Sequence, residues 1–260
     1  MIDIQQIKNY FPSELQENVA LRKYMLKEYV QLLIMDFLSS STYIKNISFI
    51  GGTNLRFVKG IDRFSEVLDF DCKNFEKIEF IKMTDDILVF LKRSGLRAEI
   101  RDKTNENLTA FRRNIYFPEL LFDFDLSAYR EERFLIKIEC QDQRFDYNPI
   151  MTNIKRMGFF FPIPVPPDSV ICAMKISALI SRQKGRDFYD VMFLLGQTQP
   201  DYHYLSEKCS INNLIELKEN LLKVAVETNL KLKSQDFKHL MFDKEKSQKI
   251  LLFQSYIESL

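Results

Sequence analysis

Phe49-Ile50-Gly51-Gly52-Thr53-Asn54-Leu55-Arg56, followed after a short connection by Arg63-Phe64-Ser65-Glu66-Val67-Leu68-Asp69-Phe70-Asp71, is the stretch that decides the fold of this chain. An apolar strand at 47–50 runs into two glycines and a hydroxyl residue. The chain then returns as a second strand ending in two carboxylates one residue apart. Paired glycines let backbone N–H groups approach an anion, and a short helix opening there presents its positive end to it. On a strand, side chains alternate between faces, so Asp69 and Asp71 point the same way. Two carboxylates on one face can share a divalent ion with a triphosphate. A phosphate cradle beside a metal pair on neighbouring strands points to nucleotidyl transfer.

Working outward, apolar spacing of helical period predicts a short helix at 2–10, stopped near Pro12, and a long one at 13–39, with Ser13 and Gln16 as a capping box. After the glycine turn a short helix at 53–58 is expected, with Gly60 as its stop, and an amphipathic helix at 84–92. β-rich runs follow at 97–102, 108–117, 120–126 and 134–140. The last is apolar enough for a central strand and carries Glu139 on one face with Lys137. Glu139 is there a candidate third carboxylate beside Asp69 and Asp71, or a strand end facing solvent. The proline-rich run at 159–167 excludes a helix and a central ladder, and reads as an extended crossover between two halves. Beyond it helices are expected from Asp168 or Ser169 to Arg182, then at 186–195, 211–228 and 245–257. The domain division is therefore 1–165, a mixed α/β part with N-terminal helices, and 166–260, a helical part completing the active-site cleft.

Composition sets bounds on this reading. A 260-residue chain with 46% hydrophobic residues can bury a core as one domain or two. No apolar run is long enough for a membrane span, and the N-terminus lacks a signal peptide's basic start and apolar core, which makes cytoplasmic residence the expectation. Four scattered cysteines without CxxC spacing imply free, mostly buried thiols. Two distant histidines, His203 and His239, offer no zinc site. A net charge of +1 gives no bulk electrostatic case for nucleic acid. A nucleic-acid partner would need a local basic surface, for which Arg112-Arg113, Lys155-Arg156 and the Arg182, Lys184, Arg186 group are candidates.

A second constellation lies at 175–190, where Lys175 is followed by Arg186 eleven positions on and Asp190 four beyond that. Arg186 and Asp190 share a helix face and can pair. Lys175, in an apolar helix, either snorkels to solvent or faces a polar cleft. Taken in order, the two motifs resemble the AbiEii/AbiGii toxin family of nucleotidyltransferases, the toxin half of type IV toxin–antitoxin and abortive-infection (phage-defence) systems. The resemblance rests on Gly51, Gly52, Thr53 and Leu55, on Arg63-Phe64-Ser65-Glu66, and on Lys175, Arg186 and Asp190, and covers roughly residues 20 to 200. It implies an α+β fold with a polymerase-β-like nucleotidyltransferase core, a mixed sheet with flanking helices, followed by a C-terminal helical part. It also implies Mg2+-dependent transfer of a nucleoside monophosphate from an NTP to an acceptor, the 3′ end of tRNA in relatives of the MenT type. A cognate antitoxin that forms no stable complex is implied as partner.

On that resemblance Gly51, Gly52, Thr53 and Ser65 cradle phosphates, and Arg63, Lys175 and Arg186 serve nucleotide binding. Asp69 and Asp71 hold the metal with Glu139 as third ligand, and Asp190 orients Arg186 or Lys175 or acts as base. One position departs from the family pattern. Its metal pair follows Ser-Glu directly as Asp-x-Asp, which puts Val67 in the first slot and Asp69 in the second, with Asp71 two residues late. A shift of two keeps the strand face but moves a ligand by about 6.5 Å. Three explanations compete: a shifted pair of Asp69 and Asp71, one ion held by Asp69 and Glu139, or lost activity. The alternative to an enzyme is a homologue that binds nucleotide and acts by binding.

Overall fold

The computed structural model describes residues 3–102 and 110–260. They form two compact units, Met1–Lys59 with Phe64–Val165, and Gly60–Arg63 with Pro166–Leu260.

The first unit is built on a five-stranded mixed sheet of β1 (Ile47–Ile50), β2 (Val67–Cys72), β3 (Glu99–Ile100), β4 (Phe111–Tyr116) and β5 (Leu135–Gln141), in the order β1-β2-β5-β4-β3. β2 and β5 run parallel and the other neighbours antiparallel. β5 takes the central place because it is apolar on its inner face: Ile136, Ile138 and Cys140 are fully buried. Leu68, Phe70 and Cys72 of β2 share that face, and the Phe70 ring lies 5.8 Å from that of Phe49 of β1. Alternation then puts Val67, Asp69 and Asp71 together on the opposite face, in register with Lys137, Glu139 and Gln141 of β5.

Helix α3 (Val19–Ser39) is buried on several sides, with Leu26, Val30, Leu32, Ile34 and Met35 all inaccessible. It does not start at Ser13. The chain makes α1 (Ile4–Lys8) and α2 (Ser13–Gln16), then breaks at Asn18, which is extended. Pro12 is the N-cap of α2, so the expected Ser13–Gln16 capping box does not form. Helix α5 (Lys77–Arg93) begins seven residues before the expected 84, under a box formed by Glu76 and Glu79.

The run at 120–126 is not a strand. Leu120–Asp123 is the helical turn α6, entered through Glu119 in the left-handed region at φ 56°. Part of the strand expected at 108–117 falls on residues outside those described. The proline run at 159–167 forms β7 (Phe159–Val165), which pairs with β6 (Ile150–Arg156) in a two-stranded antiparallel sheet. Pro162 and Pro164 are two apart, so both missing N–H groups fall on the outer edge of the hairpin, where no ladder bond is lost.

The second unit is helical. It contains α7 (Asp168–Arg182), α8 (Gly185–Leu195), α9 (Tyr202–Cys209), α10 (Leu214–Glu227), α11 (Leu230–Asp236), a 3-10 helix Lys244–Leu252 and α12 (Phe253–Glu258). Pro167, not a polar side chain, is the N-cap of α7. α8 packs against α12, where the Phe188 ring meets Phe253 edge-on at 4.9 Å. Gly185 opens α8 against α11 so closely that a Cβ there would overlap the Lys233 carbonyl. All four cysteines are free, and three are buried.

Candidate active site

In the first unit, Gly51 and Gly52 open α4 (Gly51–Phe57) directly from the end of β1. Gly51 holds φ +79°, and a Cβ there would lie 2.7 Å from the Asp69 Cβ. The first glycine is therefore required twice over, by backbone conformation and by the close approach of Asp69. Thr53 is fully buried, and its hydroxyl donates to the Val67 carbonyl. That oxygen ties α4 to β2 and is not turned toward a ligand. Asn54 reinforces the turn: its amide donates to the Phe49 carbonyl at 2.8 Å. Ser65 is 8% exposed, and its carbonyl accepts from the Gln31 amide at 3.2 Å.

The carboxylates of the sheet have separate attachments. Asp69 is partly exposed beside Gly51. Asp71 is 2% exposed; its Oδ1 accepts from the Gln143 backbone N–H at 2.8 Å and its Oδ2 from the Tyr147 hydroxyl at 2.6 Å. Burial raises its carboxyl above the usual range, and the two hydrogen bonds offset that only in part. Glu139 is salt-bridged to Arg112 of β4 at 2.8 Å. Among the described residues, no group of three or more His, Cys, Asp or Glu side chains is disposed to hold a metal ion. Asp69, Asp71 and Glu139 thus form no three-carboxylate cluster, and two of the three are already held by protein partners.

The second unit brings its motif residues together around Asp190. This carboxylate is fully buried and accepts from Arg63 Nε at 2.8 Å, Arg63 Nη2 at 2.6 Å and Lys175 Nζ at 2.9 Å. Burial alone would push its pKa up, and the two cations more than reverse this, holding it below the usual carboxylate range. The expected Arg186–Asp190 pair does not form, because Arg63 takes the carboxylate with a bidentate fork that an i, i+4 partner cannot match. Nor is Asp190 placed as a base: it has no exposed surface and both oxygens are engaged. Arg63, expected at the nucleotide, is 1% exposed. Lys175 neither snorkels nor points into open solvent; it is 7% exposed with its ammonium fixed on Asp190.

The segment carrying Arg63 is itself anchored. Asp62 accepts from the Tyr189 hydroxyl and from Lys246, both at 2.6 Å, and its backbone carbonyl accepts from Phe242 N at 3.2 Å. Sequence spacing gave no sign of Asp62, Tyr189 or Lys246. It also missed a buried cluster in the first unit, where Glu28 of α3 accepts from Arg56 Nε at 2.9 Å and Arg156 Nε at 2.6 Å. Nothing in the spacing singled it out, because Glu28 is one of several charged residues of α3, with Arg22, Lys23, Lys27 and Asp36. Most of the candidate basic surface is paired with acidic side chains: Arg112 with Glu139, Arg113 with Asp102, Arg156 with Glu28 and Arg182 with Asp187.

Comparison with known proteins bears on both sets of residues. The sequence matches the family described as nucleotidyl transferase AbiEii toxin, type IV TA system, over residues 33–256. The chain belongs to this family. The match takes in the glycine turn, the acidic strand and the Lys175–Asp190 constellation, so the AbiEii chain is a nucleotidyltransferase toxin by family. No curated protein matches its sequence. Among solved structures it is similar to MenT4, a nucleotidyltransferase toxin from Mycobacterium tuberculosis, with TM-score 0.66 at 14% identity over 100% of this chain and 91% of that one. It is also similar to JHP933 from Helicobacter pylori, with TM-score 0.56 at 18% identity over 91% and 90% of the two chains. At such identities these structures speak for the fold of the AbiEii chain, a mixed α+β core followed by helices.

Proposed function

We propose that this AbiEii chain transfers a nucleoside monophosphate from an NTP to an RNA acceptor, the 3′ end of tRNA, in the cytoplasm. A cognate antitoxin opposes it without forming a stable complex. In this reaction an acceptor hydroxyl oxygen attacks the α-phosphorus and forms the new P–O bond. The bond to the β-phosphate oxygen breaks, pyrophosphate leaves with the electron pair, and the hydroxyl proton passes to solvent. The observation that carries the reading is the Lys175 ammonium, held at 2.9 Å on an inaccessible carboxylate that also holds Arg63. A lysine fixed this way has lost most of its rotamer freedom before any ligand arrives, which suits a point charge set against phosphate oxygens. The glycine turn beside Asp69 supports the same reading from the first unit.

The test is incubation with each labelled NTP in turn, Mg2+ and total tRNA. Labelled tRNA with one NTP is expected, and Lys175→Ala is expected to cut labelling by about a hundredfold or more while the protein still melts cooperatively. Absence of label in any nucleic acid refutes transfer, and wild-type rates in Lys175→Ala remove that residue from the site. A second reading, a homologue that binds nucleotide and acts without transfer, is favoured by Val67 together with the engaged Asp71 and Glu139. Nucleotide affinity that calorimetry finds insensitive to Mg2+, with no labelling, selects it.

A further inference from the structure

The run at 142–149 leaves the end of β5 and returns as β6, and it is fastened to the end of the acidic strand at several points. Asp71 accepts from Gln143 N at 2.8 Å and from the Tyr147 hydroxyl at 2.6 Å. Lys73, two residues further along, donates to Asp146 at 2.8 Å and lies 4.9 Å from the centroid of the Tyr147 ring. Phe145, between the two contacts to Asp71, is 7% exposed. Within the loop, Arg144 N donates to Asp142 at 2.7 Å. A carboxylate with one oxygen on a backbone amide, the other on a phenol, and almost no exposed surface is the hub of a loop clamp. To serve a cation it would have to release both donors and leave them without partners in a buried place.

We propose that Asp71 anchors the 142–149 loop with Tyr147 as its latch, and that neither Asp71 nor Glu139 is a cation ligand in this chain. Glu139 is included because it sits in register with Asp69 yet is bound to Arg112 at 2.8 Å. Val67 occupies the slot two residues before Asp69 on the same face, so the acidic strand departs from a two-carboxylate metal site at both ends. The inference rests on first-unit geometry alone and is tested without a transfer assay.

Two measurements on the full chain decide it. Hydrogen exchange of the 142–149 amides is read in wild type, Asp71→Asn and Tyr147→Phe. The clamp predicts about tenfold or greater loss of protection in both variants, as expected for losing a hydrogen bond to a buried charge. Tyr147→Phe keeps the Asp71 charge and a similar volume, so it remains informative if Asp71→Asn folds poorly. Unchanged protection in Tyr147→Phe overturns the clamp. Mn2+ alone is then titrated by electron paramagnetic resonance into wild type, Asp71→Asn, Glu139→Gln and Val67→Asp. Affinity within about twofold of wild type is expected for the first two variants, and tightening by about tenfold for Val67→Asp, which places an Asp-x-Asp pair directly after Ser65-Glu66. A tenfold or greater loss of Mn2+ affinity in Asp71→Asn or Glu139→Gln, with melting unchanged, overturns the second half of the proposal.

Discussion

Replacing Asp190 by asparagine tests the core of the second unit most directly. The substitution keeps the shape and removes the charge. In the wild type one inaccessible carboxylate takes two hydrogen bonds from Arg63 and one from Lys175, at 2.6–2.9 Å. Both cations are themselves buried, at 1% and 7% exposure. Removing one member of a buried ion cluster leaves the others desolvated and uncompensated, which costs about 3–5 kcal/mol. For a chain of this size that is a fall in Tm of about 6–20 °C. The expected denaturant midpoint drops with the m-value unchanged. Adding Arg63→Met to Asp190→Asn is expected to recover part of the loss, because it removes the orphaned guanidinium.

The pH dependence carries the sign. Asp190 has its folded pKa held below the usual value. On acidification the unfolded chain therefore takes up the proton first. The contribution is fully present above about pH 4 and is lost as pH falls through the folded value. The gap between wild type and Asp190→Asn is then expected to close below about pH 4 in chemical denaturation. A variant within about 0.5 kcal/mol of wild type at pH 7, or a gap that stays constant to pH 2, would refute the reasoning.

Gly51→Ala places a Cβ 2.7 Å from the Asp69 Cβ at a φ of +79°; labelling of the acceptor is expected to disappear and stability to fall by at least about 1 kcal/mol, and full activity would show that Asp69 is not needed where it stands. Glu28, with its carboxyl pushed up by burial to about 7, gives the opposite pH signature. Between about pH 4.3 and that value the folded state holds a proton the unfolded state has released, so stability falls as pH rises, by on the order of 3 kcal/mol. Glu28→Gln should abolish this slope in denaturant titrations at pH 5 to 8, and an unchanged slope would assign it to another group.

The sheet was legible where β2 and β5 alternate and where the glycine turn leaves no room for a Cβ. The run at 120–126 misled for the same reason. Phe122-Asp123-Phe124-Asp125 alternates like a strand, but left-handed backbone at Glu119 and Asp125 brackets it and leaves a single helical turn. β6 went unread because Thr152, Asn153, Lys155 and Arg156 hide its period, and its partner is a proline-bearing strand no ladder argument favours. The site was legible only as far as spacing reaches. The interval between Lys175 and Asp190 falls within one helical region, and the two meet. Their third member, Arg63, lies 127 positions from Asp190, and no local rule could prefer it over Arg186 at i, i+4. The partner of Asp71, Tyr147, is 76 positions away.

The acidic strand shows why a two-residue shift matters even though it preserves the face. Each position of β2 faces a row of β5: Val67 lies opposite Lys137, Asp69 opposite Glu139 and Asp71 opposite Gln141. Moving a carboxylate from the first row to the third carries it about 6.5 Å along the strand. It then sits where β5 ends and the chain turns into the 142–149 loop, whose amide and phenol claim it. Period two tells which side a residue is on and nothing about which row it faces. The first row, meanwhile, keeps its backbone support: the Val67 carbonyl still accepts the Thr53 hydroxyl, so helix and strand remain pinned beside the glycine turn although the side chain there is apolar. A carboxylate returned to position 67 would therefore enter a frame already held in place, and for that reason the Mn2+ response of Val67→Asp reports on the strand's chemistry more directly than any deletion of Asp71 can.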